Sequence, residues 1–211
     1  MDRNKETFET WNKIAAIYED KFMNISLYDD TYDYICESVI QHGAKLLEIG
    51  CGPGNITRYL LTKRPDFDIY GIDISPNMIE LAKKNNPTAH FDVMDCRYIG
   101  EFKDSYDAII CGFCLPYLSD DEGNQLIANA YSLLNENGLI YISFVEGEAD
   151  ASGFKVGGGG RVYFYYHNLE ILKENLIKTK FSDLKTFKVA YKTSEMTSDT
   201  HTILTAKKKG K

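Results

Sequence analysis

The chain predicts an α/β fold, a doubly wound and mostly parallel sheet with helices on both faces. Three observations carry that reading. Short apolar runs of strand length alternate with stretches of helical spacing. The first run leads through Gly50, Gly52 and Gly54 into a helical stretch, the pattern of a strand, a glycine loop and a helix. Acidic residues recur where later runs end, at Asp73 and Asp95.

Phe8 to Phe22 is expected to form one helix, with Trp11, Ile14, Ala15 and Tyr18 at helical spacing and Trp11 and Ile14 facing the core. Asp30 to Gln41 is a second helix that buries Tyr34, Ile35, Val39 and Ile40 and stops at His42-Gly43. Lys45 to Ile49, broken only by Glu48, is a parallel strand covered on both faces. Glycine admits a positive φ and lets bare backbone approach a ligand. The helix from Asn55 to Arg64 aims free N–H groups and a partial positive charge at the glycine loop. The loop therefore suits a polar, partly anionic small molecule.

Asp68 to Asp73 is the second strand, and Ser75-Pro76 supplies the N-cap and first position of the next helix. That leaves Asp73, 21 residues after Gly52, free to accept from both hydroxyls of a ribose. His90 to Asp95 and Ser105 to Cys111 are the third and fourth strands. Asp120 to Leu134 is a helix capped by aspartate, Asn137-Gly138 turns the chain, and Leu139 to Val145 is the fifth strand. Glu146 to Gly160 is polar and glycine-rich, either a lid or substrate loop at the ligand end of the sheet or a disordered connection. An aromatic-dense stretch, Arg161 to His167, leads into a helix from Leu169 to Lys178 with Asn168 as N-cap. Leu184 to Tyr191 and His201 to Lys207 read as an antiparallel pair.

At 211 residues, with 44% hydrophobic and 26% charged residues, the composition is that of one globular domain. A net charge of −7 argues against a surface made for nucleic acid or an anionic membrane. Met1 to Glu6 is charged with no apolar segment after it, so neither a signal peptide nor a membrane span is expected. Five cysteines without a secretion signal suggest reduced thiols and a cytoplasmic location. Cys111 and Cys114 form a C-x-x-C, but two cysteines do not complete a zinc site and the four histidines are scattered, so no metal is expected.

A dinucleotide fingerprint, G-x-G-x-x-G, needs glycine at position 55, where Asn55 stands. Glu48-x-Gly50-x-Gly52-x-Gly54 instead resembles the first motif of the class I S-adenosylmethionine-dependent methyltransferases of small-molecule type, and further motifs follow in that family's order from Trp11 to Lys207. The resemblance implies a Rossmann-like, seven-stranded sheet whose last strand is antiparallel and inserts beside the fifth. It implies one domain over residues 1–211, with an N-terminal helical cap over 1–42 and a lid or substrate loop at 146–166. The implied cofactor is S-adenosyl-L-methionine. Its implied contacts are Tyr18, in a W-x-x-x-A-x-x-Y-like helix with Trp11 and Ala15, and Glu48, Gly50, Cys51, Gly52 and Asn55 at the loop. Asp73 would take the ribose, Ile74 and Met78 the adenine ring, Asp95 and the Cys96 N–H the adenine edge, and Cys111 the methionine part.

The implied acceptor is a small molecule, and the protein is expected to work as a monomer or homodimer. No catalytic residue is assigned; His167, Tyr18 and Tyr117 are candidates for proton handling or substrate contact. Cys114-Leu115-Pro116-Tyr117 is not the Asn-Pro-Pro-Tyr-like stretch of nucleic-acid amino methylation. Two other readings stand beside this one: a nicotinamide-dependent oxidoreductase on a related sheet, and a non-catalytic S-adenosylmethionine-binding regulatory protein.

Overall fold

The central strands are apolar on both faces, so each must be covered by helices on two sides. The computed structural model describes residues 3–157, 159–193 and 197–210. Strands β1 (Lys45–Ile49), β2 (Asp68–Asp73), β3 (His90–Val93), β4 (Tyr106–Cys111) and β5 (Leu134–Val145) pair in parallel in the order β3-β2-β1-β4-β5. A separate hairpin, β6 (Gly153–Gly157) and β7 (Gly160–Phe164), comes next in the chain. Then β8 (Phe181–Lys192) and β9 (Ser198–Lys208) complete a seven-stranded sheet, with β9 antiparallel between β5 and β8. This is the sheet that the resemblance implied.

Side-chain alternation along the strands sorts the core into two halves. Leu46, Ile69, Ala108, Ile110, Leu139, Tyr141 and Ile203 pack with Tyr32 and Ile35 of α3 (Asp29–Ser38) and Ile56 and Leu60 of α4 (Asn55–Lys63). Their neighbours Leu47, Ile49, Ile109, Cys111, Ile140, Ile142 and Leu204 pack with Leu126 and Ile127 of α6 (Asp120–Leu133) and Leu172 and Leu176 of α7 (Leu169–Lys178). Between them in the chain, α5 (Pro76–Asn85) sets Ile79 and Ala82 against Phe91 and Cys51.

The chain winds outward from β1 through β2 to β3, then restarts on the other side of β1 with β4 and β5. Such a reversal opens a crevice at the carboxyl ends of the two strands that part there. Ile49 pairs with Cys111, so the glycine loop leaving β1 and Gly112 leaving β4 stand side by side at that point.

Several expectations are corrected. The first helix is two, α1 (Arg3–Lys13) and α2 (Ala15–Phe22), divided at Ile14, whose φ of −102° and ψ of 16° leave the helical region. The break turns Trp11 away from the core and onto a cavity. α3 ends at Ser38, so Ile40 loses the helical phase and is 80% exposed. β3 stops at Val93, and Asp95 opens a 3₁₀ turn over Cys96–Glu101. The N-cap of α6 is Ser119, in a reciprocal capping box with Glu122, not Asp120. Asn137-Gly138 lies inside β5 at an irregular register rather than in a turn, with Asn137 at φ 64°. The glycine-rich stretch after β5 is neither bare loop nor disordered connection but contains β6 and the start of β7; Gly158 lies outside the described residues, as do 194–196 of the polar join between the last two strands. Among the described residues no helix is long and apolar enough to cross a membrane.

Gly54 is the N-cap of α4 at φ 81°, and a Cβ built there would fall 2.3 Å from Asn86 Nδ2, which donates to the Gly54 carbonyl. Gly54→Ala is expected to cost about 1–3 kcal/mol from left-handed strain alone, read as a lower midpoint with unchanged slope in urea denaturation.

Candidate functional site

The crevice holds two adjoining cavities, of about 160 Å³ and about 220 Å³, that share walls from Trp11, Tyr18, Gly50, Gly52, Phe113 and Tyr117. The glycine loop is their floor. Gly50, Gly52 and Gly54 all have positive φ, at 66°, 53° and 81°. A Cβ at Gly50 would stand 2.8 Å from that of Cys114, so only glycine lets the ends of β1 and β4 approach this closely. At Gly52 an added Cβ would meet only the Tyr18 ring, at 3.7 Å, so glycine here keeps the cavity floor open.

Asp73 is not free, as the sequence reading had it. Its Oδ2 accepts from the Gly52 amide at 3.0 Å and its Oδ1 from the Ser75 amide at 2.8 Å, while the Ser75 hydroxyl caps α5. Burial raises the Asp73 carboxyl above its usual range, opposed by these two backbone donors. Each carboxylate oxygen still has a lone pair to offer, and the side chain borders the first cavity.

The first cavity is completed by Ile74 and Met78 on one side and Met94, Asp95, Cys96 and Arg97 on the other. Asp95 does double duty: it caps the 3₁₀ turn through the Arg97 amide and holds the Arg97 guanidinium at 2.5–3.0 Å. Arg97 also reaches Glu122 at 3.2 Å, so the wall is tied to the start of α6. Sequence reading missed Arg97, although its place two residues after Asp95 was the available signal.

Glu48 lies under the second cavity with Cys51 and Asn55. It is 1% exposed and accepts from the Thr57 hydroxyl. Burial pushes its carboxyl up to about 8, with Thr57 pulling the other way and Asp73 adding repulsion. The upper walls are aromatic, lined by Tyr28, Tyr32, Phe113, Phe164 and Tyr191 together with His201. These residues come from five separate segments of the chain. Phe113 is held at φ 53°, a conformation that costs a bulky residue about 1–3 kcal/mol. Its amide donates to Ser143 Oγ at 2.8 Å, which fixes the strained turn.

The N-terminal helix and the hairpin roof the site together. Thr10 donates to the Arg161 carbonyl at 2.7 Å, the Tyr163 amide donates to Thr7 Oγ1 at 2.9 Å, and Arg161 takes Glu6 in a fork at 2.6 and 2.8 Å. Thr7, Phe8 and Trp11 of α1 thereby face the first cavity, and Phe164 of β7 faces the second.

Two predicted residues stand elsewhere. Cys111 is fully buried and points into the α6–α7 half of the core, because alternation along β4 sends it there; Gly112, Phe113 and Cys114 form the wall instead. His167, at 2% exposure, borders neither cavity: its Nε2 donates to the Leu115 carbonyl at 2.9 Å and its Nδ1 lies 3.2 Å from Asp120. It pins two connections together. Tyr18 and Tyr117, the other two candidates for proton handling, line both cavities. Among the described residues no three His, Cys, Asp or Glu side chains form a group fit for a metal.

Residues 46–138 match the model of a methyltransferase domain. Carboxy-S-adenosyl-L-methionine synthase of Campylobacter hominis is 24% identical over 151 residues, covering 66% of this chain and 62% of the relative. The chain spans less than two thirds of the length of such relatives, with shares of 62%, 43% and 59% in three of them. In fold it superposes on magnesium protoporphyrin IX methyltransferase of Synechocystis PCC 6803 crystallised with bound SAH, with a TM-score of 0.75, 16% identity, and 98% of this chain and 100% of that one covered. The [4+2]-cyclase SpnF fits equally well, with a TM-score of 0.75, 17% identity, and 99% and 97% covered. Residues 46–138 thus match a methyltransferase domain, and the fold of the whole chain is that of these solved structures. The cyclase shows that this fold does not by itself fix the reaction.

Glu48 yields a pH prediction. Its folded carboxyl sits near 8 against an ordinary 4.5, so between those values the folded state holds more protons than the unfolded one. The stability it contributes is whole below about pH 4.5 and is lost as pH rises to about 8. Glu48→Gln keeps an acceptor for Thr57 and should remove this decline; urea midpoints of the two proteins across that range should converge at the acid end and diverge above it.

Proposed function

We propose that the first cavity and the glycine-loop floor of the second hold S-adenosyl-L-methionine, and that the protein transfers its methyl group to a nucleophile on a small acceptor. The observation that carries this is the half-buried Asp73 carboxylate bonded to a left-handed glycine loop, with one face turned into a cavity at the carboxyl edge of the sheet. Two features of the cavity fit such a ligand. The glycine floor would be filled by a Cβ at Gly52, and the buried Trp11 Nε1 has no partner among the described residues. Asp73 would hold the ribose hydroxyls, Ile74 and Met78 the adenine faces, and Cys96 with Asp95 its edge. Gly50, Gly52, Cys51, Asn55 and Glu48 would cradle the methionine part, with Tyr18 closing over it.

When bound, the cofactor supplies a methyl group already activated by a sulfonium. The protein's own work is then to align, to exclude water and, for a protonated nucleophile, to take a proton. The aromatic walls and the roof of α1 and β7 exclude water. Glu48, buried and largely protonated near neutral pH, would ionise against the ammonium of a bound amino acid moiety. Residues 1–42 act as the cap and 146–166 as the lid of one domain over residues 1–211. We place the enzyme, as a monomer or homodimer, in the cytoplasm, where its five free thiols stay reduced.

A thermal melt with S-adenosylmethionine, S-adenosylhomocysteine and NAD in parallel tests the reading. Ligand at 100 times its dissociation constant stabilises by about 2.7 kcal/mol; a shift with the two sulfur compounds and none with NAD is expected, and a shift with NAD alone overturns the proposal. Asp73→Asn should weaken S-adenosylhomocysteine at least about tenfold by calorimetry, one decade being about 1.4 kcal/mol. Unchanged affinity in a folded variant removes the ribose assignment.

A further inference from the structure

The second cavity carries a group that nothing above has used. His201 enters it from β9, between Val145 of β5 and Val189 of β8 in the sheet. Its Nδ1 lies 2.7 Å from the Tyr28 hydroxyl. The Tyr191 ring stacks on it at 4.7 Å and 7°, and Phe113 leans on it at 4.8 Å and 57°. With its faces covered and Nδ1 engaged, the edge bearing Nε2 is what remains toward the cavity.

The rest of the lining says what would meet that edge. Among the described residues the second cavity has no lysine or arginine in its walls and has two acids, Glu48 at the floor and Asp199, so it offers an anionic acceptor no cationic side chain. Its walls are broad aromatic planes that stack on a flat ring. A neutral aryl amine already owns a free lone pair, whereas a hydroxyl becomes a strong nucleophile only as its proton leaves. An unprotonated imidazole in an aromatic slot suits the second kind, taking the proton as the bond to carbon forms.

We propose that the second cavity takes an uncharged aromatic acceptor bearing a hydroxyl group, and that His201, positioned by Tyr28, is the base that removes its proton. The proposal rests on the cofactor reading above. In the tautomer with hydrogen on Nδ1, that nitrogen donates to the Tyr28 oxygen and Nε2 keeps its lone pair. As the acceptor oxygen forms its bond to the methyl carbon, the carbon–sulfur bond breaks and the sulfonium becomes a neutral thioether. The hydroxyl proton passes to Nε2, and the imidazolium returns it to water after product leaves. The titratable groups facing His201 are Tyr28, Tyr191 and Asp199. Burial lowers its own pKa to about 4, against a small opposing pull from Asp199, so the ring is unprotonated at neutral pH and does not repel a sulfonium.

The test uses the full chain loaded with S-adenosylhomocysteine, with 2-naphthol, 2-naphthoate and naphthyltrimethylammonium as binding probes. Naphthol should bind at least about tenfold more tightly than naphthoate, a decade of affinity, and Tyr191→Ala should weaken it. Tighter binding of the carboxylate or of the ammonium overturns the acceptor class. With S-adenosylmethionine, 2-methoxynaphthalene should form, and His201→Gln should slow it about 100-fold near neutral pH. That deficit should close toward about pH 10, where phenols ionise unaided, while the melting shift with S-adenosylhomocysteine and the affinity for naphthol stay as in the native protein. Tyr28→Phe should give a smaller deficit with the same pH dependence. A deficit equal at every pH, or bound naphthol that is never methylated, overturns the base. Failure of S-adenosylhomocysteine to shift the melt would instead strike the cofactor reading first and this proposal with it.

Discussion

One half-buried carboxylate holds three elements in register. Asp73 ends β2, takes the amide of Gly52 from the loop after β1, and takes the amide of Ser75 at the start of α5. A buried carboxylate is tolerable only where it is well supplied with donors, and the glycine loop supplies one only when its backbone is left-handed. The positive φ at Gly50 and Gly52 and the placement of Asp73 therefore depend on each other. The shape of the cavity floor follows from that bond, because the same amide that serves Asp73 fixes where the bare backbone at Gly52 faces.

Around this fixed floor the two sides of the site differ in kind. The wall from Asp95, Arg97 and Glu122 is a chain of charged hydrogen bonds anchored on two helical starts, and its side chains are committed to each other. The opposite wall is aromatic and made from widely separated segments, with Phe113 forced into a strained turn to reach it. The first side is suited to reading the polar edge of one unvarying ligand. The second is suited to a ligand held by its shape, and its side chains lie apart from the bonds that fix the floor.

The sheet was legible because its information is local. Apolar runs of Lys45–Ile49, Asp68–Asp73 and Tyr106–Cys111 match the observed strands almost to the residue, since a strand covered on both faces leaves no alternative pattern. That Gly50, Gly52, Asp73, Ile74 and Met78 border one cavity follows from equally local information: they come from one crossover around two strand ends. Cys111 was misplaced because a strand-end residue faces either the crevice or the core by parity alone, and the point at which the chain leaves the sheet was not readable. His167 was overvalued because an aromatic-flanked histidine looks the same in sequence whether it meets a ligand or a carbonyl such as that of Leu115. His201 and Tyr28, 173 positions apart, meet only through the antiparallel insertion of β9 beside β5, which no local pattern announces.

The roof has a consequence for how the molecule assembles. The bonds from Thr7 and Thr10 to β7 join residues 156 and 151 positions apart. Contacts so remote in the chain close only after the intervening segments have condensed, since the loop entropy must be met before they repay it. Docking of α1 on β7 therefore depends on the sheet between them being in place. The roof over the cavities is thus held by a few side-chain bonds between the two ends of a long stretch of chain, rather than by the strand pairing that holds the floor.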